Sequence, residues 1–283
     1  MPGRFSRSVD LAKASWAVVS ADKELLLLPV LSVMALIVIV GSLVVPVAAI
    51  GGFTSGADTG EPGAAQMLLA LLFYVVTYFI TLFFNTALVG AAMIRLDGGN
   101  PTLSDGLRIA RERAGRIFGY ACIAATVGLL LRALERRVGW VGQIVLKLIG
   151  VTWALATFLV VPVLVTRDVG PVEAVKQSAD LLRRTWGENL IGNVGLGLVF
   201  GVAYFALAIV AVVAIVLVSE SGSTMLIGTV VLLGVVSFFA LSALHATMQG
   251  VYSAALYRYA TAHEAPLPGF GPELLEQAFG PKK

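Results

Sequence analysis

Six apolar runs constrain this chain more than any other feature: residues 25–50, 67–96, 117–134, 144–166, 190–218 and 225–257. Crossing the roughly 30 Å hydrocarbon core of a bilayer takes about 20 mostly apolar residues in a helix. Lipid offers no partners to free backbone groups, so a spanning segment must satisfy them internally. The runs are apolar on every face, which does not fit the short alternating strands of a membrane barrel. Only 13% of the residues are charged against 58% hydrophobic, where a soluble domain carries about 25% charged residues. So few charges could not coat an aqueous fold of this size. The expected fold class is therefore all-α, a polytopic transmembrane helical bundle of six spans. It occupies a single domain over residues 1–262, with a cytoplasmic tail over 263–283. The second and sixth runs exceed the minimum length and should tilt or project. The first is too long for the apolar region of a signal peptide, about 7–15 residues, and reads as a retained span.

The connections alternate in charge. The stretch 51–66 is Gly-rich with Asp58 and Glu61 and no Lys or Arg, and 219–224 is a Ser/Gly turn holding Glu220 alone. The segments 97–116 and 167–188, with both tails, lie on the other side, which takes 16 of the 20 Lys and Arg residues. By the positive-inside rule that side is cytoplasmic, both termini included, and the expected location is the plasma membrane. Arg132, Arg136 and Arg137 fall on the far side. Glu135 stands three residues from Arg132 and offsets part of the cluster. The cluster reads as interfacial; the alternative, a hairpin that does not cross, would leave four spans.

Ser8-Val-Asp-Leu-Ala-Lys-Ala-Ser-Trp16 aligns with Ser178-Ala-Asp-Leu-Leu-Arg-Arg-Thr-Trp186. Each segment precedes a pair of spans and carries an apolar stripe at helical spacing: Phe5, Val9, Ala12, Trp16 and Val175, Ala179, Leu182, Trp186. Leu103, Leu107, Ala110 and Ala114 repeat the stripe before the third span. The chain thus reads as three units, each a basic amphipathic helix (about 5–19, 103–114 and 171–186) followed by a helical hairpin. Even span numbers give all three the same orientation, unlike inverted-repeat transporters. Pro171 and Glu173 suit a helix start, and Arg183 and Arg184 lie near that helix's end. Such helices would lie along the inner leaflet, drawn to anionic lipid, or pack on the span ends and seal the bundle.

Catalytic signatures are missing: there is no phosphate-binding G-x-x-x-x-G-K-[ST] loop, G-x-S-x-G elbow or H-E-x-x-H pair. Gly195-Leu-Gly197 lies in an apolar run without a preceding strand. Gly192, Gly197, Gly201 and the Gly90-Ala-Ala run read as sites of close helix packing, and Cys122 as a small packed residue. His245 and His263 are too few for a His-rich metal site. No Asp or Glu falls inside a span, whereas ion-coupled carriers usually place a carboxylate there. The intramembrane polar set is Asn85, Lys147, Asn193, His245 and Gln249. Lys147 can snorkel to the interface. His245 and Gln249 share a helix face, with Tyr252 near by, and with Asn85 and Asn193 they read either as interhelical glue or as the lining of a small polar cavity. Trp16, Trp140, Trp186, Tyr252, Tyr257 and Tyr259 fall near span ends, as an aromatic belt requires. The scattered basic residues do not resemble a nucleic-acid surface.

Ser15-Trp16 with Asp22-Lys-Glu-Leu-Leu-Leu-Leu-Pro29, and the stretch Pro162-Val-Leu-Val-Thr-Arg-Asp-Val-Gly-Pro-Val-Glu-Ala-Val-Lys-Gln-Ser178, resemble an uncharacterised family of multi-pass membrane proteins. The second stretch is also similar to the membrane domain fused to some glycerophosphodiester phosphodiesterases, although the carboxylate and histidine ligands of that catalytic domain are missing here. The resemblance implies a six-helix membrane protein and no known activity. We expect no enzyme and no cofactor. The leading expectation is a scaffold or accessory component engaging anionic lipid or a membrane-protein partner; the alternative is a permease or channel for a small solute or lipid head group.

Overall fold

The computed structural model describes residues 4–49, 64–186, 195–220 and 222–262. The predicted tail over 263–283, most of the 51–66 connection, and Gly192 and Asn193 lie outside them. The described chain runs α1 (Arg4–Ala21), a 3-10 turn (Lys23–Leu26), α2 (Leu27–Ala49), α3 (Ala64–Leu96), α4 (Leu103–Glu112), α5 (Ala114–Glu135), α6 (Trp140–Ala156), α7 (Val160–Thr166), α8 (Pro171–Trp186), α9 (Gly195–Ser219) and α10 (Thr224–Ala262). Six segments are long and apolar enough to cross a membrane: Lys23–Ser42, Leu68–Leu96, Ala114–Glu135, Trp140–Thr166, Leu196–Ser219 and Thr224–Thr261. The segments on both sides of the Arg132–Arg137 cluster are among them. At about 1.5 Å per residue, the 39 residues of α10 rise nearly twice the thickness of a hydrocarbon core.

Among the described residues, burial is concentrated toward one end of the bundle. Leu25, Leu28, Leu88, Val89, Ile117, Val160, Leu164, Val251 and Leu256 are all sealed from solvent. They sit where the chain meets its basic connections. At the opposite end α6 buries no residue, and Val210, Val213, Leu217, Leu226, Leu232 and Val236 of α9 and α10 are exposed. The packed end holds α3 at its centre, against α2, α4, α5, α7 and α10, while α1 lies across α9 and α10.

The short helices meet the bundle through small residues. A Cβ on Gly106 of α4 would stand 2.7 Å from the Ala87 carbonyl oxygen, and one on Gly90 of α3 would stand 3.0 Å from Ile109. The buried positions are Gly106 and Ala110 on α4; Ala174, Ser178 and Leu182 on α8; and Ala14, Ser15, Val18 and Val19 on α1. Trp16, the described member of the stripe read from the sequence on α1, is half exposed and lies beside this contact line. Of the glycines expected to pack, Gly90 does. Gly201 meets open space and Gly197 is exposed.

Local chemistry fixes the ends. Gly98 takes φ +84°, a left-handed conformation cheap only for glycine, as α3 closes with Gly99 N donating to Ile94 O at 3.0 Å. Thr102 and Asp105 form a capping box at α4, and the Leu103 N–H donates to Glu24 Oε2 at 2.9 Å. The Thr102 hydroxyl and backbone N–H hold the Asp105 carboxyl below the ordinary range, with Arg108 adding a smaller pull. The same end carries side-chain bridges. Arg258 pairs with Asp97, and Asp168 pairs with Arg113 and Arg116. Tyr257 receives hydrogen bonds from Thr166 at 2.7 Å and Arg167 at 3.2 Å.

The fourth apolar run is one span by length but two helices by backbone. α6 stops at Ala156, residues 157–159 turn, and α7 resumes at Val160. Pro162 accounts for the break, since proline has no N–H and its ring clashes with the carbonyl four residues earlier. The Leu159 N–H donates instead to the buried Ser178 Oγ of α8 at 3.0 Å.

Candidate functional site

Beside this break lies a cavity of about 290 Å³ bounded by α3, α5 and α6. Its walls are Tyr78 and Leu82; Tyr120, Ala124, Val127, Gly128 and Leu131; and Trp153, Ala154 and Thr157. The spacing explains the shape. On α5 these residues recur at helical intervals and form one stripe, in which Ala124 and Gly128 leave the room. On α3, Tyr74, Tyr78 and Leu82 recur every fourth residue, and the rings of Tyr74 and Tyr78 stack with centroids 6.5 Å apart. A Cβ on Gly128 would stand 3.4 Å from the Tyr78 hydroxyl. Tyr120 is buried and meets the Thr157 side chain at the break.

A cation stands next to the last wall residue of α5. Arg132 follows Leu131 and donates to the Tyr74 hydroxyl, and its guanidinium carbon lies 5.3 Å from the Tyr74 ring centroid. On α6, Gly150 faces Leu131, its Cβ position 3.9 Å from Leu131 Cδ1. The walls are apolar with a few hydroxyl groups, and neither a carboxylate nor a histidine lines them. Such a surface suits an apolar group with a few hydroxyl contacts.

The intramembrane polar residues named from the sequence go elsewhere. His245 of α10 faces α9. Its ring stacks on Phe200 with centroids 4.3 Å apart and planes 15° apart, and its Nδ1 stands 3.4 Å from the Tyr204 hydroxyl. That hydroxyl also donates to Ser242 Oγ at 3.3 Å. Asn85 of α3 faces α10 near Gly250, whose Cβ position is 3.8 Å from Asn85 Oδ1. Asn85 and Gln249 are part buried, and Lys147 is exposed on α6. Among the described residues no hydrogen bond joins Asn85, His245 and Gln249. Asn193 lies outside the described residues. Tyr74, Tyr78, Tyr120, Trp153 and Thr157 were not singled out from the sequence. Their available signal was the four-residue spacing of tyrosines on one run, opposite small residues on the next.

These features define a class, a multi-pass helical membrane protein with an apolar, hydroxyl-bearing cavity at the depth of its spans. Residues 64–266 match a family of unknown function, DUF6159, and the chain belongs to that family. The matched region contains the Pro162–Ser178 stretch and every residue of the cavity; the Ser15–Pro29 stretch lies before it. Searches of curated proteins and of solved structures find no match, and the likeness to the phosphodiesterase membrane domain receives no support.

Proposed function

We propose that the protein is a non-enzymatic membrane component, a scaffold or accessory subunit that engages lipid or a membrane-protein partner. One observation carries this reading: packing is concentrated at the basic end, while the far halves of α6, α9 and α10 present apolar side chains outward. Surfaces of that kind bind acyl chains or other spans. That end and both termini are, in this reading, cytoplasmic in a plasma-membrane protein, which the excess of Lys and Arg in the basic connections supports. In this reading α1, α4 and α8 close the bundle beneath three like-oriented hairpins. Purification within native lipid, followed by mass spectrometry of whatever accompanies the chain, tests the proposal. Stoichiometric lipid or a membrane protein supports it. A chain that retains neither removes it.

A second reading, a permease or channel, draws on the α6–α7 break. Interrupted helices in transporters line substrate sites, and Thr157 of the break lines the cavity. Single cysteines at Asn85, His245 and Thr157 in a Cys122-free background discriminate. Labelling by an aqueous thiol reagent at these depths would favour transport, and uniform protection would remove it.

A further inference from the structure

We propose that the α3–α5–α6 cavity holds an acyl chain of an anionic glycerophospholipid whose phosphate is bound by Arg132 with Arg136 and Lys147. The inference rests on the lipid-engaging reading above and names its ligand and site.

The first argument is alignment. The wall residues of α5, from Tyr120 through Ala124, Val127 and Gly128 to Leu131, form one stripe that ends beside Arg132. The Tyr74, Tyr78, Leu82 stripe of α3 runs alongside it, with Tyr74 touching Arg132 at one end and Leu82 in the cavity wall at the other. The two stripes therefore set the Arg132–Tyr74 pair directly beyond the Leu131 and Tyr78 end of the cavity lining.

Depth is the second argument. Arg132 and Tyr120 are separated by twelve residues of α5, about 18 Å of helix. One leaflet contributes roughly 15 Å of hydrocarbon. A phosphate at Arg132 thus brings the tail of its own acyl chain to the level of Tyr120 and Thr157. A protein helix, about 10–12 Å across with its side chains, does not fit a cavity of about 290 Å³; an alkyl chain does.

Charge supplies the third. Arg132, Arg136, Arg137 and Lys147 gather around this end of the α5–α6 hairpin with one carboxylate, Glu135. Lys147 lies one turn from Gly150, the residue of α6 that faces Leu131, so it flanks the Leu131 end of the cavity. Arg132 gives Nη1 to Tyr74, and a guanidinium has five N–H donors, which leaves others for a phosphate oxygen.

Trp153, in the cavity wall, makes the proposal measurable. In the full chain carrying W16F, W140F and W186F it is the single tryptophan. The protein is reconstituted into phosphatidylcholine vesicles doped with chain-brominated phosphatidylglycerol or, at the same mole fraction, chain-brominated phosphatidylcholine. The anionic phosphatidylglycerol is expected to quench Trp153 the more strongly. Arg132→Gln should lower the preference roughly five-fold, the effect of one cation at a membrane surface. Gly128→Leu, which fills the cavity, should abolish it. Ala154→Leu serves the same purpose if the Gly128 variant does not fold, and Arg108→Gln at the opposite end should leave the preference unchanged. Equal quenching by the two lipids, or a preference that survives both the Arg132 and the cavity-filling substitutions, overturns the proposal. Either result would leave the broader reading standing if purified protein still retained lipid or a partner. Loss of that retention would remove the broader reading on its own.

Discussion

The two ends of this bundle are built by different rules. At the basic end, helices approach closely enough for backbone to meet backbone, termini are capped by side chains, and exposed charges bridge one element to the next. At the far end the same helices continue as apolar rods with their side chains exposed. Association of helices in lipid lacks a hydrophobic drive and depends on close van der Waals packing and hydrogen bonds. The chain concentrates both where its small residues are, and leaves the rest of each span free to meet other molecules.

The largest expected contrast comes from deleting the same side chain at each end. Leu164 is 1% exposed and Leu232 is 62% exposed. Leu164→Ala leaves a hole in packed protein and should cost about 3 kcal/mol. Leu232→Ala faces lipid and should change stability by less than about 0.5 kcal/mol. Thermal unfolding in a mild detergent measures both, and equal losses would break the comparison.

Adding an atom gives the next effect. A Cβ on Gly106 would press on the Ala87 carbonyl at 2.7 Å, with carbon atoms of Ala87 and Ala91 close behind. Because the obstacle is backbone, α4 must move, and Gly106→Ala should cost about 2 kcal/mol. Gly201 has nothing within 4 Å. Gly201→Ala should stabilise its helix by about 0.5–1 kcal/mol. Opposite signs for the same substitution would sharpen the distinction between the ends.

These glycines also show what the sequence could and could not disclose. The six apolar runs were legible because hydrocarbon thickness sets a length that composition alone can meet. The stripes on α4 and α8 were legible too: Ala110 and Leu182 are buried and Leu103, Leu107 and Val175 pack against the core, but the closest contacts also run through Gly106, Ala174 and Ser178, which lie outside those stripes. Smallness records close approach only once the partner helix is known. Pro162 stood in plain view inside the fourth run. Whether it kinks or breaks a span depends on an acceptor such as the Ser178 hydroxyl, sixteen residues further on, which no local pattern fixes. His245 and Gln249 do share one face of α10, yet the aromatic partners of His245, Phe200 and Tyr204, come from another helix. The cavity needs three helices at once, and single-run periodicity cannot supply that.

The break itself yields a smaller test of the packed end. Ser178 Oγ is the acceptor for Leu159 N–H, and the bond is buried. Ser178→Ala should leave that donor without its acceptor and cost about 1 kcal/mol. Ser178→Thr keeps a hydroxyl and separates loss of the bond from change of volume. A Ser178→Ala protein as stable as the parent would mean that the turn at 157–159 is held by Pro162 alone.

The smallest effect concerns the charges that rim the packed end. Asp168 is largely exposed and is held below the ordinary carboxylate range, first by its hydrogen bond and charge pairing with Arg116 and then by Arg113. A carboxyl whose value is depressed on folding stabilises the folded state above its unfolded value, about pH 4, and that contribution disappears as pH falls through the folded value. Asp168→Asn should therefore lower the melting temperature slightly at pH 6, and the gap should close as pH is taken below 4. High salt should narrow the gap at pH 6 as well, because exposed pairs are screened. A gap that stayed constant across pH would assign the loss to packing of the α7–α8 connection and leave the rim charges without a part in holding this end together.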